Sequence, residues 1–343
     1  LQNVALLPKE SFSKIGKIVD SQGNGIPNCN LMISSSFFKD TIVTNQFGEF
    51  SLDTLFQSNY TFYFGSWGYR TRCEVISIFN DSSSLLLNLD NAYYDDFTFD
   101  YGWTVEGNSS SGMWEIGNPN PTIEDGQIFN PSDDISSDCY NNALVTGNAL
   151  GGGVSADDVD DGYTLAVSPK FDLSSYDNPA IKFYEWFANS NSWSDPDDTL
   201  NVYLSNGIES KLISTTIAQL NNQWLQKTIN ISQFIQPTTE MTISFKASDY
   251  NPNNHLVEAG IDGFEVFEDD VSSNNYELIV SNIIYPNPAN NEINVNANGT
   301  KDIYNISGKL IYSSSNKTID VSRLESGLYI INTNHKFYKF IKL

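Results

Sequence analysis

The sequence predicts an all-β protein made of three consecutive β-sandwiches. Three observations point there. Short runs rich in Ile, Val, Phe and Tyr recur along the chain, split by Gly, Asn and Asp turns. A length of 343 residues suits two or three domains. The polar, acidic stretch EDDVSSNN then separates a last unit from the rest. The boundaries read as residues 1–90, 91–268, a linker at 269–281, and 282–343.

Composition narrows the function classes. Hydrophobic residues make up 40% and aromatics 13%, enough for packed cores. A net charge of −24 and a pI near 4.2 argue against nucleic acid, whose phosphates would be repelled, and against anionic membrane surfaces. No apolar run approaches the ~20 residues that span a bilayer, so the chain is not expected to cross one. The opening LQNVALLPKE reads as an internal or processed start. Cys29, Cys73 and Cys139 lack CxxC spacing, which excludes zinc ribbons and thioredoxin-like chemistry. Cys29 and Cys73 could pair across one small sandwich in an oxidising compartment, or stay as buried thiols.

In residues 1–90, GKIVDSQGNGIPNCNLMISSS, DTIVTNQFGEFSLDTL and YTFYFGSWGYRTRCEVISIF carry the strand signal, with turns at Gly23, Gly25, Pro27 and Gly48. The spacing suits a two-sheet sandwich. Gly16–Asp20, Gly25-Ile26-Pro27, Thr44–Phe50 and Gly68-Tyr69 resemble the carboxypeptidase regulatory-like, transthyretin-type domain. That resemblance implies a non-catalytic spacer or accessory module.

Residues 91–268 hold too many strands for a plain immunoglobulin-type unit, and a jelly-roll sandwich fits better. Its centre is the pair of runs TLAVSPKF and AIKFYEWFA. An acidic loop lies beyond each outer end: Asp157, Asp158, Asp160 and Asp161 before the first, and Asp195, Asp197 and Asp198 after the second. Carboxylates this dense repel one another at about 1 kcal/mol per close pair in water. A hard, oxygen-seeking cation such as calcium removes that repulsion. DDVDDG is not an EF-hand loop, because no Glu stands at loop position twelve. Trp186 alternates with Phe183 and is expected in the core. Trp193, in a Ser- and Asn-rich loop beside carboxylates, is a candidate for stacking on a sugar or protein ligand.

The motifs Asp96-Phe97 with Gly102-Trp103, Trp114, Ser168-Pro169 with Phe171-Asp172-Leu173, and Asp262 with Phe264-Glu265-Val266 resemble the jelly-roll family of gingipain cleaved-adhesin and MAM domains. The resemblance implies that the first and last strands are neighbours tied by calcium. It gives Asp96 and Asp262 as candidate ligands, with Asp100 a further one. Thr98 stands where relatives often carry Glu.

No catalytic constellation is legible. His255-Leu256-Val257-Glu258 has the H-x-x-E spacing of zinc carboxypeptidases. It lies before the last strand of a sandwich, however, and His335 belongs to a separate tail unit, so three ligands would not converge there. G-x-S-x-G, Cys–His and phosphate-cradling patterns are missing too.

Residues 282–343 show short strands with turns at Asn298-Gly299, Ser307-Gly308 and Ser326-Gly327. Lys336, Lys339 and Lys342 interleave with Phe337, Tyr338 and Phe340, which suggests a final strand with a basic outer face. Tyr285-Pro286-Asn287-Pro288, Asp302–Asn305 with Ser307-Gly308-Lys309, Leu324 with Ser326-Gly327-Leu328-Tyr329, and the terminal Lys-Phe-Ile-Lys-Leu (Lys339 to Leu343) resemble the type A C-terminal sorting domain of type IX secretion cargo from bacteroidetes. This implies passage across the outer membrane, recognition by the secretion shuttle and translocon, and anchoring at the surface after cleavage in the linker.

The expected protein is therefore the non-catalytic C-terminal portion of a secreted surface protein, with an adhesin-like domain for a carbohydrate or protein ligand. The rival reading is the accessory region of a secreted zinc metallopeptidase whose catalytic domain lies upstream of Leu1.

Overall fold

A computed structural model describes residues 10–124, 127–135, 138–149, 157–190, 198–217, 223–250, 255–269, 284–286, 288–295, 299–305, 309–333 and 336–343. Among these the only helical element is a 3-10 turn, Ile231–Gln233, and the rest is strand and loop. The chain divides into two compact units, Leu1–Asp270 and Val271–Leu343.

The first unit contains two sandwiches. In the smaller, one sheet runs in the order Glu49–Leu55, Phe12–Val19, Leu85–Asn88, and the other in the order Phe38–Val43, Asn30–Ser35, Ser58–Gly65, Arg72–Ile78. The Leu85–Asn88 strand returns parallel to Phe12–Val19, closing the three-stranded sheet. Alternation places Leu31, Ile33, Phe62 and Phe64 in the core against Ile18, Phe50 and Leu52. Gly48, at φ +77°, lets the hairpin pass against Ile18 and Ile26, where a Cβ would lie 2.5 Å from the Ile18 carbonyl oxygen.

The larger sandwich faces two antiparallel sheets. One is ordered Trp114–Gly117, Ala143–Thr146, Leu256–Glu268, Pro179–Ser190, Leu225–Asn230, with Tyr93–Asp95 also pairing Leu256–Glu268. The other is ordered Ser210–Thr216, Thr199–Ser205, Thr242–Asp249, Gly162–Val167, Thr104–Gly107. The opening and closing strands of this jelly roll are thus neighbours, with Asp95 opposite Phe264. Phe97, Trp103, Phe171, Phe183, Phe245 and Phe264 fill the space between the sheets. Trp186 is buried, and its indole N–H donates to the Phe129 carbonyl at 2.6 Å.

Packing between the two sandwiches is extensive. Trp67 stacks on Phe264 with ring centroids 6.2 Å apart and donates to the Lys170 carbonyl at 2.6 Å. Arg70 pairs with Glu265 and lies over the Tyr94 ring, 4.2 Å from its centroid. The disulfide also lies here and corrects the sequence expectation: Cys73 pairs with Cys139, joining the two sandwiches, while Cys29 stays a buried thiol. Cys73 stands opposite Tyr63 on the outer sheet, whereas Cys29 lies in the core, its thiol against the Gly65 carbonyl. Burial pushes the Cys29 thiol up to about 12.

The second unit has sheets ordered Ile284–Tyr285, Glu292–Val295, Thr318–Asp320 and Leu310–Ser314, Lys301–Asn305, Gly327–Thr333, Lys336–Lys342. Ile293, Val295, Ile303, Ile319, Ile331 and Phe340 form its core. Along the last strand Lys339 and Ile341 face out and Phe340 and Lys342 face in. Lysines three apart cannot share one face of a strand, so the basic face expected there does not hold for Lys342.

Candidate metal centres

Asp262 is fully buried in the closing strand. Gly263 and Phe264 together stand opposite Phe183, and the pairing register slips between Lys182 and Tyr184. Gly263 takes φ +55° at this bulge. Bulges re-aim side chains, and here the Asp262 carboxylate accepts from the amides of Ile135 and Gly263 at 3.1 and 2.7 Å.

Asp134 and Asp138 share that place. One ligand oxygen from each of Asp134, Asp138 and Asp262 lies within 4.8 Å of the others. Asp96 flanks them from the opening strand. Phe97, fully buried, holds the left-handed φ of 52°, a conformation rare for an aromatic residue and fixed here by core packing. The turn splits two adjacent carboxylates. Asp95 accepts from Phe97 N–H and the Trp103 indole at 2.8 and 2.7 Å, and Asp96 accepts from Thr98 N–H at 3.2 Å. Asp96 Oδ2, Thr98 Oγ1 and Asp138 Oδ2 are buried without a well-formed hydrogen bond, with Thr98 close to Asp96 and Asp134 close to Asp138.

Burial, then the charges of Asp134 and Asp96, push Asp138 up to about 8. Asp262 rises well above its ordinary value through burial and the Asp138 charge. Asp96 is raised by burial as well. Orphaned oxygens among mutually repelling carboxylates suit a hard cation, since the donors are all oxygen. Asp100 caps its own turn, accepting from Gly102 N–H at 2.8 Å on the surface. Asp134 and Asp138 escaped sequence reading because they sit in a long Asn- and Asp-rich loop with no fixed spacing to Asp262.

The acidic loops at the other end separate into different roles. Asp157 turns back on its own loop, accepting from Asn148 and Ala149 N–H at 2.8 and 2.9 Å. Asp161 is exposed at φ +55°. Asp160 accepts from the Ser111 hydroxyl at 3.1 Å. Asp158 is buried, its Oδ1 without a partner, and burial and the Asp160 charge push it up to about 7. Asp198 lies beside two residues the sequence reading did not join to it, Asp249 and His255. Burial, then the Asp198 and Asp160 charges, push Asp249 up to about 7. Asp195, Asp197 and Trp193 lie outside the described residues. Glu258, three residues after His255, turns elsewhere and accepts from the Thr146 hydroxyl at 2.9 Å.

Of the tail motif residues, Tyr285 lies in the first strand, Pro286 and Pro288 are exposed, and Asn287 and Gly308 lie outside the described residues. Gly327 opens the strand carrying Tyr329, whose ring stacks on Phe340 at 5.4 Å and whose hydroxyl donates to the Glu325 carbonyl.

Residues 283–342 match the family described as the secretion system C-terminal sorting domain. The chain is therefore cargo for type IX export, carried to the cell surface or released, and the motifs around Tyr285 and Gly327 belong to its export domain. Among the described residues no helix is long and apolar enough to cross a membrane. No curated protein matches the chain. Several solved structures are similar at low identity. The K1 cleaved adhesin domain of Lys-gingipain from Porphyromonas gingivalis W83 is 13% identical, covering 52% of this chain and 99% of that one, with a TM-score of 0.32. TmCBM61, solved with β-1,4-galactotriose, is 11% identical over 51% and 91%, with a TM-score of 0.30. The family 11 carbohydrate-binding module of a Clostridium thermocellum cellulosomal cellulase is 14% identical over 51% and 92%, with a TM-score of 0.28. Likenesses this distant carry no functional argument.

Proposed function

We propose that the exported chain is a surface-binding protein in which calcium braces the large sandwich, with Asp96, Asp134, Asp138 and Asp262 holding the ion and Thr98 Oγ1 completing the oxygen set. The observation that carries this reading is the group of orphaned buried oxygens between the opening strand, the Asp134–Asp138 loop and the closing strand. Bound there, calcium would supply positive charge that lets the carboxylates stay ionised in a buried place. The small sandwich then acts as an accessory module of the carboxypeptidase regulatory-like type, clasped to the braced domain.

Binding rather than catalysis fits the outward face of the five-stranded sheet. Tyr163 and Tyr250 flank Lys246, whose ammonium lies 4.4 and 5.6 Å from their ring centroids. Asn201, paired with Lys246, adds an amide to this face, and Tyr203 stands on the same strand. Rings interleaved with amide and ammonium donors suit a glycan, which offers apolar C–H faces and hydroxyls together. Retention of the full chain on immobilised polysaccharides tests the ligand class. Tyr163→Ala should abolish retention while leaving the thermal midpoint within a few degrees. Retention that survives Tyr163→Ala and Tyr250→Ala would remove this face from consideration.

A further inference from the structure

We propose that Asp198, Asp249 and His255 form a second cation site, at the end of the sandwich carrying the 157–161 loop, and that it takes a divalent ion of the zinc class rather than calcium. The three side chains come from separate segments. Asp198 leads into the Thr199–Ser205 strand, Asp249 ends the Thr242–Asp249 strand, and His255 leads into Leu256–Glu268. One ligand atom from each lies within 4.8 Å of the other two, and the residues are 5%, 1% and 2% exposed. His255 Nδ1 lies 2.6 Å from Asp198 Oδ2, so the ring is already oriented by a carboxylate.

Asp249 makes this more than an acidic cluster. Both its oxygens are buried without a well-formed hydrogen bond, and only the His255 backbone N–H lies near as a donor. A buried Asp–His pair accounts for Asp198 and His255 but gives Asp249 no role, since a buried carboxyl group this poorly supplied with donors is unfavourable whether charged or neutral. Asp158, with its own unpartnered buried oxygen, and Asp160 add negative charge beside it. A cation relieves all of these at once.

The donor set selects the ion. Calcium collects six to eight oxygens and rarely a nitrogen, whereas zinc and its neighbours bind imidazole together with carboxylates. His255 thus separates this place chemically from the all-oxygen group around Asp262. It acts here without Glu258, so the H-x-x-E spacing plays no part.

The test uses the full chain, stripped of metal and then held in saturating calcium so that an oxygen site is filled throughout. Zinc chloride is added, and retained zinc is counted after gel filtration. One equivalent per chain and a thermal midpoint raised by several degrees are expected. Asp249→Asn and His255→Gln should each weaken zinc binding by more than the ~10–100-fold typical of outer-shell changes. Asp249→Asn keeps an acceptor for the His255 backbone N–H and removes the buried charge, so without zinc its midpoint should stay close to that of the parent; this variant carries the test if His255→Gln fails to fold. The proposal is overturned if no zinc is retained, if retention is unchanged in the variants, or if millimolar calcium displaces the zinc. None of these outcomes bears on calcium at Asp262, which is assayed without zinc.

Discussion

Asp262 accepts two backbone hydrogen bonds, yet it remains raised by burial and by Asp138. Replacing it by Asn should therefore act differently with and without calcium. Asp262→Asn keeps one acceptor oxygen for these two N–H donors, so it is expected to lower the metal-free midpoint by a few degrees and to cancel most of the calcium-dependent rise, as read by melting in each condition. Trp67 contributes through packing instead. This half-buried ring bridges the sandwiches, so Trp67→Ala should cost about 2 kcal/mol in chemical denaturation, below the ~3–5 kcal/mol of a fully buried aromatic. Asp96 and Asp262 were reached through the resemblance to cleaved-adhesin and MAM domains, whose motifs flank the opening strand and lie in the closing one. Asp134, Asp138 and Asp249 were not legible. Loop carboxylates carry no periodicity, and only the folded topology sets them beside residues more than a hundred positions away or across a sheet.

At the scale of elements, the Cys73–Cys139 bridge joins the edge strand of the small sandwich to the residue following Asp138. It therefore limits how far that ligand loop can move. Cys139→Ser should lower the midpoint, in keeping with the ~2–4 kcal/mol typical of a disulfide, and weaken calcium binding in titration calorimetry. Equal calcium affinity in both proteins would uncouple the bridge from the site. The strand runs and turns of all three sandwiches were legible because period-two alternation is local. The disulfide pairing was not. Its partners are 66 residues apart and belong to different sandwiches, so no spacing rule connects them. The last strand teaches the same lesson in miniature: Lys339 and Lys342 look like one basic stripe in sequence, but the pleat puts them on opposite faces.

For the whole molecule, export and ion binding meet. Deleting residues 283–343 should trap the chain behind the outer membrane of a type IX-competent host, as fractionation would show. A chain that still reached the surface would require a second signal. Charge sets the pH response. Burial raises Asp95 and Asp138 to about 8 and Asp158 and Asp249 to about 7, against 3.8 for an ordinary aspartate. The folded chain therefore holds protons that the unfolded chain has released. Metal-free stability should fall as pH rises from about 4 to 8, with the loss complete above the folded values. Bound calcium, which favours the anions, should flatten or reverse that slope. The most direct measurement is the thermal midpoint of the metal-stripped full chain, with calcium added in place of any other divalent ion. At about 100-fold over the dissociation constant, binding to the folded state alone contributes roughly 2.7 kcal/mol. The account predicts a rise of several degrees that Asp262→Asn largely removes. An unchanged midpoint, or a rise that persists in Asp262→Asn, would contradict it.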